Sequence, residues 1–415
     1  MLFQIQTLFF MCLQFLLKLG TLIIPIRVPE TFRGAGAAME LCQAIANTGA
    51  KRVLLVTDRV LVDLGLVQPV QDKLQALGVT VETYDGVQPD PTIAQIETGV
   101  TRYKDSGCEA VLAMGGGSSI DAAKVIAARV RNPHGVRWMA GLFRLLRSPA
   151  PLYAIPTTAG TGSEVTVAAV VSDPEAVRKF AVMDFRLVPQ MAALDGSVMT
   201  GVPPAITAAT GMDALTHAVE AYISRNHTKE TDAAALDAVS RIMTHLPRVM
   251  ADGSNLESRS EMAIASYQAG LAFTKAGVGY VHAFAHNLGA RYHVPHGKAN
   301  AMLLPYVLSY SKPRAYARLA RLAEVAGLKQ GGETEMELAD KFIAHIRAMN
   351  AEFGIPDKVE PLKAEDIPVI AANARSEANW YYAVPRYMDR STSEQFLMQL
   401  LPTGSGSGAG QQQAA

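Results

Sequence analysis

The stretch VLAMGGGSSIDAAK, residues 111–124, decides the fold because it joins a strand to a helix through three consecutive glycines. Its first part is a short apolar run typical of a buried strand, and its second part has helical spacing. Glycines let a phosphate approach the backbone, and free N–H groups at a helix start favour an anion. Gly115, Gly116 and Gly117 therefore predict a pyrophosphate cradle. The alternative is that they serve only the tight turn.

The helix start has a further polar signal. Ser118 follows the glycines, and Asp121 stands three residues later. This spacing resembles a capping box, in which two side chains bind the first free N–H groups of a helix. The pattern therefore predicts that Ser118 caps the helix.

Short apolar runs and longer amphipathic runs alternate around this stretch. We predict strands at 52–58, 79–87, 110–116 and 151–158, and helices at 61–77, 91–107 and 119–130. Repeated strand-to-helix alternation implies a doubly wound parallel sheet, and therefore a Rossmann-like α/β domain. After GVPPAIT (201–207), strand signals become few and helical periodicity dominates.

These changes of pattern divide the chain into four parts. We predict an apolar helix at 1–27, an α/β dinucleotide-binding domain at 28–202, an all-helical domain at 203–402 and a disordered tail at 403–415. The tail ends in GSGSGAGQQQAA, which has no apolar side chains able to form a core.

Composition narrows the class of protein. The chain has 415 residues, of which 49% are hydrophobic and 18% charged, as in a globular protein with large cores. Lys plus Arg and Asp plus Glu number 38 each, so no excess positive charge is available for phosphates, and we expect no nucleic-acid partner. Cys12, Cys42 and Cys108 are isolated. They predict no disulfide framework, and a reducing cytoplasm fits best.

The N-terminal segment MLFQIQTLFFMCLQFLLKLGTLIIPI is apolar for most of its length. It lacks the basic start of a secretory signal, and Lys18 would cost roughly 3 kcal/mol inside a bilayer. Its polar residues fall close to a helical period, which leaves a narrow polar stripe. We expect the helix to pack on the protein's own body or on a second subunit of a homodimer or larger homo-oligomer. Contact of residues 1–19 with a membrane surface is the alternative.

Two further features lie at the ends of predicted strands. Asp58 ends the first strand, where a carboxylate accepts bonds from a ribose diol and repels a 2′-phosphate, which favours NAD over NADP. TTAGTGSE, residues 157–164, is a hydroxyl-rich loop after another strand. Ligands bind parallel sheets at the carboxyl ends of strands, so these features and the glycines predict one crevice. For Asp58 the alternative is an ordinary turn or cap residue.

A pair of metal-ligating residue types stands in GMDALTHAVEAY, residues 211–222. Asp213 and His217 are four residues apart, so both lie on one helical face and can reach a single ion. In the alternative, Asp213 caps the helix and His217 is a hydrogen-bonded core residue.

A second histidine cluster lies in VHAFAHNLGARYHVPHG, residues 281–297. His282 and His286 repeat the spacing of four residues, and His296 follows a glycine and proline break. Two or three imidazoles with one carboxylate suit Fe(II) or Zn(II). The spacing does not choose between His282 and His286 as ligands.

Four segments together carry a family resemblance: GGGSSIDAAK, TTAGTGSE, GMDALTHAVEAY and GYVHAFAHNLGARYHVPHGKANAMLLP. They resemble the iron-containing alcohol dehydrogenases, and the similarity runs from about Pro29 to Leu401. This resemblance implies an NAD-binding α/β domain followed by an all-α metal-binding domain. It also implies NAD and Fe(II), with Zn(II) as the alternative metal.

The resemblance separates the candidate residues by role. The metal ligands it implies are Asp213, His217, His282 and His296. His286 would line the cavity beside the metal and the nicotinamide, and it is the best candidate for a catalytic proton relay. The motif does not require His293. The cofactor contacts it implies are Asp58, Gly116, Gly117, Ser118, Asp121, Thr157, Thr158, Thr161 and Lys179.

The sequence departs from the family pattern at three places. Asp90 stands where many relatives carry asparagine, which weakens the expected polar contact to the cofactor there. Residues 194–196 read LDG in place of the usual aspartate–proline, and the apolar residues 1–27 exceed the common family start.

These features predict a metal-dependent alcohol dehydrogenase that transfers hydride reversibly between a primary alcohol and NAD. The ion acts as a Lewis acid that lowers the hydroxyl pKa, so that the alkoxide forms near neutral pH. A hydroxyacid–oxoacid transhydrogenase that retains its cofactor is the main alternative, and a metal-binding protein without turnover is another. A lyase of the dehydroquinate synthase type is disfavoured, because its anionic substrates need several lysines and arginines in the pocket.

Overall fold

The computed structural model describes residues 2–23, 26–176 and 178–402, with the backbone alone at 2 and 16–23. The predicted tail at 403–415 lies outside the described residues. Contacts divide the chain into two compact units. The sheet unit comprises 18–222 and 227–276, and the helical unit comprises 1–17, 223–226 and 277–415. The predicted domain boundaries follow the change from strands to helices and stay a prediction.

The sheet unit contains the strands. They are β1 (Glu30–Arg33), β2 (Arg52–Val56), β3 (Thr80–Tyr84), β4 (Ala110–Gly115), β5 (Gly141–Leu142), β6 (Leu152–Pro156), β7 (Ala168–Asp173), β8 (Arg178–Met183) and β9 (Met191–Leu194). Six of them form one sheet in the order β1-β9-β6-β4-β2-β3, and every neighbouring pair is parallel. A second sheet has the order β5-β8-β7.

The α-helices of the described residues occur from the N-terminal segment to the C-terminal part. They are α1 (Leu2–Ile23), α2 (Ala37–Asn47), α3 (Arg59–Asp63), α4 (Gln68–Ala76), α5 (Ile93–Asp105), α6 (Gly117–Arg129), α7 (Pro204–Ile223), α8 (Lys229–Ala251), α9 (Leu256–Ala276), α10 (Tyr280–Tyr292), α11 (His296–Val325), α12 (Glu335–Glu352), α13 (Ile367–Tyr381) and α14 (Arg390–Met398). The predicted change from strands to helices after residue 203 is confirmed, since β9 is the last strand described.

Alternate side chains of the central strands enter two different cores. Leu54 and Val56 of β2 pack with residues of α5 and α6, whereas Val53 and Leu55 pack with residues of α2 and α4. Successive side chains of a strand point to opposite faces, so helices cover both faces of the sheet. A strand covered on both faces must be apolar throughout, and all six residues of β4 are buried. The predicted doubly wound α/β architecture is confirmed.

The structure differs from the prediction at two helix boundaries. The helix expected at 61–77 is two helices, because the chain turns at Gly65 with a φ of 71°. The expected cap at Ser118 is wrong, since α6 begins at Gly117 with Gly116 as its N-cap and no side-chain cap. Asp121 is drawn away from the helix start, because its carboxylate accepts hydrogen bonds from Ser163 and Val170.

In the helical unit, the first part of α1 packs on α13 through Trp380. The side-chain amide of Gln14 donates to the carbonyl oxygen of Trp380 at 2.9 Å. The rings of Phe9 and Phe10 meet the Trp380 ring edge to face, at centroid distances of 6.3 and 5.4 Å. This contact agrees with the expectation that the helix packs on the protein's own body.

Several large apolar side chains of α1 are exposed. They are Phe3, Ile5, Leu8, Phe9 and Phe15. Among the residues that were described and searched, no helix is both long enough and apolar enough to cross a membrane.

Candidate metal and cofactor sites

The glycine turn between β4 and α6 has no room for a side chain at Gly115 or at Gly117. A Cβ added at Gly115, whose φ is 156°, would lie 2.5 Å from the side chain of Ser119. One added at Gly117 would lie 2.6 Å from Thr161. The turn therefore packs directly against the 157–164 loop, and it leaves the backbone at the start of α6 bare. Bare backbone at a helix N-terminus is suited to a phosphate.

Two side chains of α6 hold the segment that follows this loop. Asp121 accepts hydrogen bonds from Ser163 Oγ at 2.6 Å and from the Val170 N–H at 2.8 Å. The buried Lys124 ammonium donates to Thr166 O and Oγ1, both at 2.9 Å, and to Ala168 O at 2.8 Å. Asp121 thus positions the loop in this structure. Lys124 was missed by the sequence reasoning, although it lies three residues after Asp121 on the same helix.

Burial changes the pKa of Lys124 and of Glu164, and it also raises the pKa of Asp121. Burial lowers the Lys124 pKa to about 8, although the neighbouring charges of Asp121 and Glu164 oppose that change. Glu164 ends the 157–164 loop, and burial raises its pKa to about 7. An ammonium with a lowered pKa and a carboxyl with a raised pKa therefore interact electrostatically in this region. Both groups are desolvated, and neither is exposed enough to act as a surface charge.

Asp58 lies beside the glycine turn and also caps a helix. Its Oδ1 accepts from the Leu61 N–H at 3.0 Å, as the N-cap of α3. Its Oδ2 lies 3.7 Å from the point that a Cβ of Gly115 would occupy. The cap role therefore uses one oxygen, and the carboxylate still borders the cradle at the end of β2.

Lys179 is tied to the cradle through Asp90. Lys179 Nζ lies 2.6 Å from Asp90 Oδ2, and the Asp90 N–H donates to Ser118 Oγ at 3.4 Å. Asp90 has a left-handed φ of 60°, which is uncommon for a residue with a side chain. Asp90, which stands in place of the expected asparagine, therefore forms an ion pair with Lys179. The remaining predicted contacts Gly116, Thr157 and Thr158 lie at the carboxyl ends of β4 and β6.

In the sheet unit, Asp213 and His217 lie on one face of α7, as their spacing predicts. Both are buried, and Asp213 Oδ2 lies 4.0 Å from His217 Nδ1. This distance is too long for a hydrogen bond, so the two groups are neighbours that do not bind each other directly. The His217 ring stacks on Phe273 of α9 at a centroid distance of 4.3 Å, which fixes the plane of the imidazole.

In the helical unit, His282 of α10 and His296 at the start of α11 direct the same ring nitrogen at one point. The side-chain nitrogen of Asn300 lies 3.2 Å from His282 Nε2 and 3.1 Å from His296 Nε2. Their ring centroids are 5.4 Å apart. Two imidazole nitrogens that converge in this way are arranged as a pair of ligands.

The donor set fits a divalent metal ion. Asp213, His217, His282 and His296 make up a group that could hold one such ion. One carboxylate and three imidazoles are borderline donors that suit Fe(II) or Zn(II), and the absence of thiolate from this group removes a strong preference for zinc.

His286 and His293 have different surroundings. His286 lies beside the two histidines of the pair, with ring centroids 5.9 Å from His282 and 5.4 Å from His296. Its Nδ1 lies 2.7 Å from Glu377 Oε1, an interaction that the sequence reasoning missed. His293 is the C-cap of α10 with a φ of 56°. It therefore lies at the end of a helix.

Both parts of the chain match one protein family. Residues 29–196 match the iron-containing alcohol dehydrogenases, and residues 207–401 match the C-terminal domain of the Fe-containing alcohol dehydrogenase family. Together the two matches include all the predicted site residues.

Relatives with known names support the same assignment. Lactaldehyde reductase of Escherichia coli K12 is 40% identical over 345 residues, which cover 82% of this chain and 90% of that protein. The NAD-dependent methanol dehydrogenase of Bacillus methanolicus is 37% identical over 348 residues, which cover 83% and 91% respectively. The 1,3-propanediol dehydrogenase of Klebsiella pneumoniae is 40% identical, with coverage of 82% and 88%.

Solved structures share the fold. A crystal structure of 1,3-propanediol oxidoreductase superposes with a TM-score of 0.88 at 37% identity, covering 91% of this chain and 100% of that one. The alcohol dehydrogenase of Oenococcus oeni superposes with a TM-score of 0.87 at 33% identity, covering 91% and 99%. Membership of the matched family implies NAD and a metal ion. The chain therefore belongs to the iron-containing alcohol dehydrogenase family and is an NAD-dependent alcohol oxidoreductase.

Proposed function

We propose that the protein converts a small primary alcohol and NAD to the aldehyde and NADH, and also catalyses the reverse reaction. The observation that carries this proposal is the presence of a complete carboxylate and histidine donor set and a glycine cradle in one chain of this family. The names of three relatives support a small substrate, since they state lactaldehyde, methanol and 1,3-propanediol.

In this proposal Asp213, His217, His282 and His296 bind one divalent cation, Fe(II) or alternatively Zn(II). The buried pair on α7 and the converging nitrogens of His282 and His296 support the assignment. A cation bound there supplies Lewis-acid polarisation of the alcohol oxygen.

The proposed contacts to NAD surround the glycine turn. They are Asp58, Gly116, Gly117, Ser118, Asp121, Thr157, Thr158, Thr161 and Lys179. The backbone at the start of α6 binds the pyrophosphate, and the Asp58 carboxylate accepts bonds from the ribose hydroxyls. The hydrogen bonds from Ser163 and Val170 to Asp121 favour an indirect role for Asp121, which holds the loop that contacts the cofactor.

His286 takes up the hydroxyl proton and passes it to water in the proposed reaction. Its side chain is 41% exposed, which supports a route to solvent. It lies beside His282 and His296 without belonging to the proposed ligand set. It therefore occupies a suitable position for a relay between a bound alcohol and the solvent.

The test is an assay of protein purified without added metal. Its iron and zinc content is measured, and NADH absorbance is then followed with NAD and alcohols of increasing chain length, with and without added Fe(II) or Zn(II). We expect metal-dependent NADH formation. No NADH with any alcohol would contradict the proposal. If cofactor then stayed bound through gel filtration, the retained-cofactor transhydrogenase would be favoured.

We further propose that the protein is a cytoplasmic homo-oligomer and that a second copy covers the exposed face of α1. The exposed side chains Ile5, Leu8 and Phe15, which share one side of the helix, support burial of this face against another surface. The intact chain and a version starting at Val28 are compared by gel filtration and by partition between cytosol and membranes. A smaller oligomer for the shortened chain is expected. Loss of membrane partition at unchanged oligomer size would instead favour contact of residues 1–19 with a membrane surface.

A further inference from the structure

Glu377 is a partly buried partner of His286, and it lies outside both metal-ligand segments, 211–222 and 281–297. It lies on α13, 91 residues from His286, and its side chain is 24% exposed. Glu377 Oε1 lies 2.7 Å from His286 Nδ1, and the Tyr382 hydroxyl donates to the same oxygen at 2.7 Å. The carboxylate is thus held from two sides.

The chemistry of these groups defines the state of the imidazole. An ionised carboxylate can only accept hydrogen bonds, so the close nitrogen of His286 must carry a hydrogen. In a neutral imidazole the other nitrogen then carries none, and Nε2 becomes the acceptor. We propose that Glu377 is a positioning residue that fixes the tautomer and the ring orientation of His286, with Tyr382 fixing Glu377.

The inference rests on the proposed function, in which His286 accepts a proton from the reacting alcohol. With Nδ1–H on Glu377, Nε2 is the only nitrogen of this ring that can accept the hydroxyl hydrogen. The opposite tautomer would present an N–H to the alcohol oxygen and could not accept. Glu377 therefore raises the fraction of the protein in which His286 is ready to react, and it needs no contact with alcohol or cofactor to do so.

A purely structural role of Glu377 is disfavoured because other groups already join α10 to α13. Asp366, the residue before α13, accepts hydrogen bonds from Arg291 and from the Tyr292 hydroxyl at the other end of α10. The Tyr292–Asp366 bond provides a matched control. It links the same pair of helices through a tyrosine and a carboxylate, but it does not touch His286.

The experiment compares Glu377→Ala, Tyr292→Phe, His286→Ala and the double variant of Glu377 and His286. Glu377→Ala should lower kcat by about 10- to 100-fold, with metal content and the KM for NAD unchanged. Tyr292→Phe should retain kcat within about twofold. In the His286→Ala background the loss of Glu377 should have no further effect, because a residue that acts only through His286 has nothing left to position. An equal loss in both backgrounds would overturn the proposal.

A second readout does not depend on activity. Imidazole nitrogen NMR of histidine-labelled, zinc-loaded protein reports which ring nitrogen carries hydrogen, and the signal absent from His286→Ala identifies this residue. We expect a hydrogen on Nδ1 that is lost or redistributed in Glu377→Ala. An unchanged signal in Glu377→Ala would overturn the proposal even if activity fell. If wild-type protein formed no NADH but the tautomer still depended on Glu377, the proposed function would fail and this inference would stand.

Discussion

At the scale of single residues, Lys124 is the group that most strongly organises the cofactor loop. Its three hydrogen bonds satisfy Thr166 and Ala168 in a region without water access. Removing a charged donor leaves buried carbonyl groups without a partner, and such groups are expensive to desolvate. Lys124 therefore stabilises the folded loop, although it lies close to the proposed pyrophosphate site.

Lys124→Met is expected to lower the free energy of unfolding by about 3 kcal/mol, because three charge-assisted hydrogen bonds are lost and a flexible apolar chain replaces them. Urea denaturation measures this change. Lys104→Met on the exposed end of α5 is the matched control, with an expected change below about 0.5 kcal/mol. Equal midpoints for the two variants would contradict the role given to Lys124.

Glu164 makes the stability depend on pH. Burial raises its pKa from 4.5 to about 7, so between these values the folded chain binds a proton that the unfolded chain has lost. The free energy of unfolding therefore falls as the pH rises through this window. Glu164→Gln removes the contribution of this group, so the variant should gain on wild type by roughly 3 kcal/mol between pH 4.5 and 7. Parallel stability curves over this range would disprove the assignment.

At the scale of elements, His293 ends α10 and is the one of the four histidines in residues 281–297 that has neither a proposed metal-binding nor a proposed relay role. His293 holds a left-handed φ of 56°, a conformation that costs a residue with a side chain about 1 kcal/mol relative to glycine. His293→Gly should therefore raise the free energy of unfolding by about 0.5–1 kcal/mol. Metal content and kcat should not change, and loss of metal from this variant would show that His293 had been assigned wrongly.

Helix boundaries near the proposed sites depended on packing more than on local signals. Thr92 and Gln95 form the capping box of α5, with each side chain bound to the other residue's backbone N–H. At the start of α6 the similar spacing of Ser118 and Asp121 did not form a cap, because Ser163 and Val170 bind the Asp121 carboxylate. A short-range motif therefore predicts a cap only where no distant donor binds the same carboxylate.

At the scale of the whole molecule, metal binding is expected to be linked to folding. The proposed ligands come from α7, α10 and α11 and are in place only in the folded chain. A ligand at about 100 times its Kd stabilises the folded state by about 2.7 kcal/mol. Treatment with a chelator should lower Tm, and Fe(II) or Zn(II) should restore it. His217→Ala should show neither effect, whereas a chelator effect of equal size in this variant would place the metal elsewhere.

The sequence by itself determined the order of strands and helices, the glycine cradle and the identity of the candidate ligands. Apolar periodicity, a glycine run and ligand spacing are local properties of the sequence, so they can be recognised without knowledge of the fold. The spacing of Asp213 and His217 needed only one turn of helix. The choice between His282 and His286 needed the family resemblance, because the same spacing serves both.

Only the tertiary structure decided which distant groups meet. Glu377 lies 91 residues from His286, and Asp121 binds partners 42 and 49 residues away. Such pairs form because helices and strands pack in a particular register, and no local pattern encodes that register. The burial of side chains also depends on the tertiary structure. The lowered pKa of Lys124 and the raised pKa of Glu164 arise from the exclusion of water, which exists only once the sheet and its helices have assembled.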